Sequence, residues 1–158
     1  MPHNRNIASN CRVVFRYSIH LSTTGQNQPQ SHNSLDIDLQ SFTLDVTKIE
    51  KSITSRTKAI MPVHEFGLCA DMDPIIELAA KYDLFIIEDA ACALGATYKG
   101  KKAGSMGDFG SFSLHPRKAI TSGEGGLLTC NEKNLDAKIK TLRNHGVNYE
   151  DPTEFIEA

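Results

Sequence analysis

Lys118 closes the stretch Gly110-Ser-Phe-Ser-Leu-His-Pro-Arg-Lys118, just beyond an apolar strand, and Gly123-Glu-Gly-Gly126 follows it. Upstream, Leu84-Phe-Ile-Ile-Glu-Asp89 carries a carboxylate to the end of another apolar strand. A lysine whose amine is kept neutral can form a Schiff base with an aldehyde. An ionised carboxylate at the end of a buried strand is costly without a positive partner. A protonated pyridine nitrogen is such a partner, and a ring held that way accepts electrons from a carbanion. Ser113, five residues before Lys118, can turn its hydroxyl and the nearby backbone N–H groups toward a phosphate. Together these are the parts that pyridoxal phosphate chemistry requires.

Taken singly, each has a plainer reading. Asp89 could cap a turn, Lys118 could decorate a surface, and Ser113 could be an ordinary strand serine. The glycines of Ala103-Gly-Ser-Met-Gly-Asp-Phe-Gly110 suggest tight turns near a ligand, but match no dinucleotide fingerprint. Gly123-Glu-Gly-Gly126 implies backbone shapes cheap only for glycine, or close approach to another backbone. His64 and His115 are tempting bases, yet a satisfied polar side chain near a strand end accounts for either. Cys11, Cys69, Cys92 and Cys130 form no CxxC pair, which argues against a zinc site or disulfide framework and for a reducing cytoplasm. Cys69 and Cys130 are assigned to packing.

The positioning elements read as α/β. Val13, Phe15, Tyr17, Ile19 and Leu21 alternate with polar residues, the period of a half-buried strand, and Gln26–Ser34 reads as a flexible loop. Leu35–Asp38 is expected as a short strand. Asp45 is expected to cap a helix with Val46, Ile49 and Ile53 on its apolar face. Lys58–His64 is a further strand, and Asp73-Pro74 looks like a helix start. The apolar run Leu84–Ile87 suggests a strand covered on both faces. Phe109–Leu114 and Gly126–Cys130 complete the strands, followed by a helix over residues 133–144 closed by Gly146. Such units give a mostly parallel sheet with helices on its faces. The link from Leu114 to Gly126 holds no helix, so the last strand is expected to return antiparallel and make the sheet mixed. Ligands of such sheets bind at the carboxyl ends of the strands, where Asp89 and Lys118 fall.

At 158 residues the chain has the length of one domain, able to bury about 70% of its extended surface. A net charge of -2 gives no reason to expect nucleic acid or a membrane as partner. No apolar run reaches the ~20 residues of a membrane span, and the polar start is not a secretory signal.

Read together, Glu88-Asp-Ala-Ala-Cys-Ala-Leu-Gly-Ala96, Gly104-Ser-Met-Gly-Asp108, Phe112-Ser-Leu-His-Pro-Arg-Lys118 and Gly123-Glu-Gly-Gly126 resemble the DegT/DnrJ/EryC1/StrS family of sugar aminotransferases. The resemblance also takes in Thr57–His64 and Ala70–Pro74. It implies the aspartate-aminotransferase-like fold, with pyridoxal phosphate as cofactor. Lys118 would bind the cofactor covalently, Asp89 would hold its ring nitrogen, and Ser113 would contact its phosphate. Cys92 falls where many members carry His or Gln near the cofactor; it is expected to pack, with a modest effect on cofactor tuning. The implied reaction moves an amino group from an amino acid, typically glutamate, to a keto sugar carried on a nucleotide. Retention of Lys118 favours transamination over the dehydratase branch, where histidine replaces it. The family builds its sites across a homodimer interface.

Members are more than twice this length. Residues 1–34 do not resemble the family's N-terminal region and are expected to be a divergent or flexible segment, and 35–158 a partial large domain with apolar area exposed and weak or no activity alone. The alternative is a non-catalytic remnant of such an enzyme. Nucleotide binding in the Rossmann manner lacks its glycine motif.

Overall fold

The computed structural model describes residues 12–15 and 31–143. Strands β1 (Arg12–Phe15), β2 (Ser31–Ser34), β3 (Thr57–Met61) and β4 (Phe85–Asp89) precede a small hairpin of β5 (Thr97–Tyr98) and β6 (Lys101–Lys102). Strands β7 (Phe109–Ser113) and β8 (Gly126–Cys130) follow. Helices are α1 (Ile49–Ser52), α2 (Met72–Tyr82) and α3 (Lys133–Arg143). The six-stranded sheet runs β2-β1-β3-β4-β7-β8. Its neighbours pair parallel as far as β7, and β8 returns antiparallel along its whole length. This is the mixed, mostly parallel α/β sheet expected from the spacing of apolar runs.

The core lies where α2 covers β3 and β4. Met72, Ile75 and Ala79 present one helical face to Ile60, Leu84 and Ile86, and all six are buried. Burial then alternates along β4: Ile86 and Glu88 are buried, while Phe85, Ile87 and Asp89 are half-buried. The expectation of full cover on both faces therefore holds for one face only. On the other, the Phe85 and Phe109 rings meet at 6.3 Å between centroids. Ile120, Leu127, Leu128 and Leu142 are exposed.

Several local expectations need correction. Ser31–Ser34, read as loop, is a strand, because parallel pairing with β1 satisfies its backbone whatever its side chains are. Residues 26–30 lie outside the described residues, as do Tyr17, Ile19 and Leu21 of the first alternating segment. Leu35–Asp38 forms no strand; it contributes one antiparallel bridge, Ile37 to Leu44, closed by a turn in which Asp38 Oδ1 accepts from the N–H of Gln40 and Ser41. Asp45 does cap, accepting from Thr47 N–H, but the first turn is 3-10 and leads into α1. Helix α2 begins before Asp73-Pro74, with Asp71 at the N-cap position. Asp71 makes no cap bond of its own; instead Tyr98 Oη donates to its carboxylate (2.6 Å) and accepts from Asp73 N–H (3.4 Å). Helix α3 matches its expected start, while Gly146 lies outside the described residues. No helix of the described residues is long and apolar enough to cross a membrane.

Candidate active site

Strands β4 and β7 are parallel neighbours, so their carboxyl ends open side by side. Asp89 pairs with Ser111, and Glu88 with Gly110. Side chains alternate along a strand, so Asp89, Ser111 and Ser113 share one face of the sheet, and Glu88 and Phe112 share the other. The Asp89 backbone is pinned from β3: its N–H donates to Pro62 C=O and its C=O accepts from His64 N–H, both at 2.9 Å. Its Oδ1 accepts from Ala91 N–H at 3.0 Å, and among the described residues Oδ2 meets no donor.

The segment after β7 is a loop clamped at Leu114. Leu114 N–H donates to Gly125 C=O (2.9 Å), and Leu114 C=O accepts from Thr121 Oγ1 (2.8 Å) and Ser122 N–H (3.1 Å). Gly125 takes φ +147° here, a conformation that side chains rarely adopt. Within the loop, Lys118 N–H closes a turn onto His115 C=O at 2.9 Å, and Arg117 N–H donates to His115 Nδ1 at 3.2 Å. Lys118 is half-buried, and its Nζ donates to Cys92 Sγ at 3.0 Å. Cys92, Ser113, Arg117 and Lys118 line one cleft of about 180 Å³.

The opposite face of β4 holds a second constellation. Glu88 and His64 are both fully buried. Ala70 N–H donates to His64 Nδ1 (3.2 Å), so Nε2 carries the hydrogen that His64 donates to Glu88 Oε2 (2.9 Å). Gly104 N–H reaches the same oxygen at 2.7 Å, while Met106 and Gly107 N–H reach Oε1 at 2.6 and 2.5 Å. Burial alone would push the Glu88 carboxyl up, but the His64 bond and the Gly107, Gly104 and Met106 amides outweigh it and hold it below the ordinary carboxylate range. The glycines of Ala103–Gly110, read as turns beside a ligand, instead wrap an internal carboxylate. Sequence reasoning missed Glu88; an acid beside Asp89 on the inward face of an apolar strand was the available signal.

Of the expected site residues, the structure gathers Lys118, Cys92 and Ser113 around one cleft. Asp89 does not line it, but ends the adjacent strand three residues before Cys92. Cys92 is not packed as expected: it is exposed and hydrogen-bonded to Lys118, in a turn beyond β4 whose Ala90 and Ala93 take the buried positions. His64 is the satisfied polar side chain the plainer reading describes, and His115 is exposed, bonded to its own turn. Cys69 is buried as expected; Cys130 is half-buried, with Sγ 3.4 Å from Glu132 C=O.

Residues 30–157 match the model of the DegT/DnrJ/EryC1/StrS aminotransferase family. The chain is 54% identical over 113 residues to GDP-perosamine synthase of Caulobacter vibrioides, covering 72% of this chain and 30% of that protein. The chain thus spans about 30% of the length of the curated relatives it matches. Among solved structures, the aminotransferase from Psychrobacter cryohalolentis superposes with a TM-score of 0.82 at 35% identity, over 96% of this chain and 39% of that one. NtdA from Bacillus subtilis, with bound cofactor PMP, gives 0.82 at 27% identity over 98% of this chain and 35% of its own. Because that family model covers most of the chain, the chain belongs to the pyridoxal-phosphate-dependent DegT/DnrJ/EryC1/StrS aminotransferases.

Proposed function

We propose that this chain is the site-bearing part of an aminotransferase that moves an amino group from an amino acid, glutamate in our reading, to a nucleotide-linked keto sugar. Amino-sugar or cell-surface polysaccharide synthesis is the setting of that reaction in this reading. We assign residues 35–158 to the large domain and 1–34 to a divergent segment that adds β1 and β2 to its sheet. The working enzyme is a cytoplasmic homodimer in this reading; the free thiols of Cys69, Cys92 and Cys130 suit a reducing compartment. The observation that carries the proposal is the amine of Lys118, held in a clamped loop over a cleft shared with Ser113, beside the end of the Asp89 strand.

The residues fit pyridoxal phosphate by the chemistry of their donor set. An amine, a hydroxyl and a guanidinium line the cleft, and a carboxylate oxygen without a donor among the described residues stands on the next strand. When bound, the cofactor supplies an aldehyde for amines and a ring that accepts electron density from the substrate carbon. Lys118 Nζ would hold it covalently and, once displaced by the amino donor, take a proton from the donor carbon and return it. The Asp89 carboxylate would keep the ring nitrogen protonated, since a carboxylate beside a cation favours the charged form of both. Ser113 Oγ would donate to the phosphate.

The test is cofactor capture. Pyridoxal phosphate added to the purified chain should give a visible absorption band that survives dialysis and is missing in Lys118→Ala. A folded protein with no such band would overturn the assignment and leave the non-catalytic remnant standing.

A further inference from the structure

The loop that carries Lys118 brings its amine against a sulfur. Nζ and Cys92 Sγ are 3.0 Å apart, inside the range of about 3–3.5 Å from which reacting atoms combine. Cys92 is exposed and lines the open cleft with Lys118, so a small oxidant reaches it. An oxidised cysteine condenses with whatever nucleophile lies nearest, a second thiol or a nitrogen. Cys69 is buried and Cys130 is turned to Glu132, so among the described residues the neighbour within bonding reach of Cys92 is the lysine amine.

We propose that Cys92 and Lys118 form a reversible, peroxide-driven cross-link that withdraws the lysine from the site. In the first step the Cys92 sulfur attacks hydrogen peroxide. An S–O bond forms and the O–O bond breaks; the thiol is oxidised by two electrons to a sulfenic acid, and the peroxide is reduced to water. In the second step the Nζ lone pair attacks that sulfur. An S–N bond forms, the S–O bond breaks, and the departing hydroxide leaves as water with a proton from the amine. One thiol, one amine and one peroxide thus give one sulfenamide and two waters, and the chain loses two hydrogens. Two equivalents of an added thiol reverse it, giving back the cysteine and the amine with one disulfide. The consequence for the site rests on the reading that Lys118 holds pyridoxal phosphate: a lysine bonded to sulfur cannot do so, and a lysine already holding cofactor cannot be cross-linked.

The experiment treats the purified chain with a small excess of hydrogen peroxide, blocks free thiols, and reads intact mass followed by peptide mapping. Once the blocking groups on the other thiols are subtracted, the expected product is lighter by about 2 Da than the untreated chain and carries no blocking group on Cys92. Its Cys92 and Lys118 peptides are joined, and dithiothreitol restores it. Cys92→Ser and Lys118→Arg should each abolish the joined peptide, while Cys69→Ser and Cys130→Ser should leave it. Recovery of Cys92 as sulfinic acid or as an intermolecular disulfide, with Lys118 free, overturns the proposal. Loading with pyridoxal phosphate beforehand separates it from the functional reading. A cofactor band in the loaded chain, with no cross-link in the chain treated without cofactor, sinks the cross-link alone. A cross-link whose yield is the same with and without cofactor upholds the chemistry and sinks the role of Lys118. Suppression of the yield several-fold by cofactor upholds both.

Discussion

Replacing Glu88 by Gln keeps the side chain's size and removes one acceptor, which isolates what the buried carboxylate contributes. Its two oxygens take four donors: His64 Nε2 and Gly104 N–H on Oε2, Met106 and Gly107 N–H on Oε1. A glutamine amide can satisfy only one of those pairs. With its NH2 at the Oε1 position it points hydrogens at Met106 and Gly107; at the Oε2 position it points them at His64 and Gly104. A tautomer shift of His64 does not rescue the second placement, since Nδ1 would then face the Ala70 N–H. Two donors lose their acceptor either way, and the half-buried Met106 and Gly107 pair is the cheaper to orphan; toward the low end of about 1–3 kcal/mol each, we expect a loss of about 3 kcal/mol. That is a large part of the 5–15 kcal/mol typical of a folded domain. Urea unfolding followed by far-UV circular dichroism at neutral pH measures it directly. Acid supplies a second check. Glu88 is held below its ordinary 4.5, so its stabilisation is present above that pH and is lost as pH falls through the lower, folded value. The gap between wild type and Glu88→Gln should therefore close in acid below about pH 4.5. A gap under ~1 kcal/mol at neutral pH, or one that stays constant into acid, would refute the reasoning.

Gly104→Ala should cost roughly 2–4 kcal/mol in the same unfolding assay, because a Cβ there runs into the Phe112 ring and the backbone sits at φ +77°; an unchanged midpoint would mean the packing gives way easily. Tyr98→Phe should lose about 1 kcal/mol and speed hydrogen exchange in the first turn of α2, since the hydroxyl bridges Asp71 and Asp73; unaltered exchange there would remove Tyr98 as the cap. Asp89→Asn should leave stability within ~1 kcal/mol, because an amide oxygen can still accept from Ala91, yet weaken pyridoxal phosphate binding about tenfold or more in a spectroscopic titration. Equal affinity in the two proteins would show that Asp89 does not serve the ring nitrogen.

How far the sequence could be read depended on whether a feature is local. The antiparallel return of β8 was legible because a link without a helix has no means of crossing over to a parallel position. The end of β4 at Asp89 followed from its apolar run. Where a distant residue decides, local reading fails. Asp73-Pro74 looks like a helix start, but Tyr98 comes from the β5–β6 hairpin to occupy Asp71, and the helix begins before the proline. Leu35 and Ile37 do alternate in burial with their neighbours, yet period two reports side-chain direction and not the presence of a partner strand. Ser31–Ser34 errs in the other direction, since a partner strand is present although its side chains carry no strand signal. The glycines at 104 and 107 read as tight turns near a ligand, and their backbone N–H groups do meet an anion, though not a ligand's. The anion is Glu88, and nothing in the spacing of a glycine run distinguishes an internal carboxylate from a ligand's phosphate.

Glu88 and Asp89 are neighbouring acids, and the pleat of one strand sends them to different work. Glu88 faces the core, has no exposed surface and has both oxygens occupied. Asp89 faces the half-open side, with one oxygen bonded and its backbone fixed on both sides by Pro62 and His64. His64 couples them: its ring binds Glu88 while its own N–H binds the Asp89 carbonyl. The inward carboxylate therefore ties β3, β4 and the Gly104–Gly107 turn into one body, and that body sets the outward carboxylate in place. A register slip of one residue would exchange the two faces, turning Asp89 into the core and Glu88 to the half-open side. The bonds Glu88 makes across 16 to 24 residues of chain oppose that slip. The adjacency of the two acids is thus a single device: Glu88 anchors the strand end that carries Asp89, the acid we propose for the cofactor's ring nitrogen.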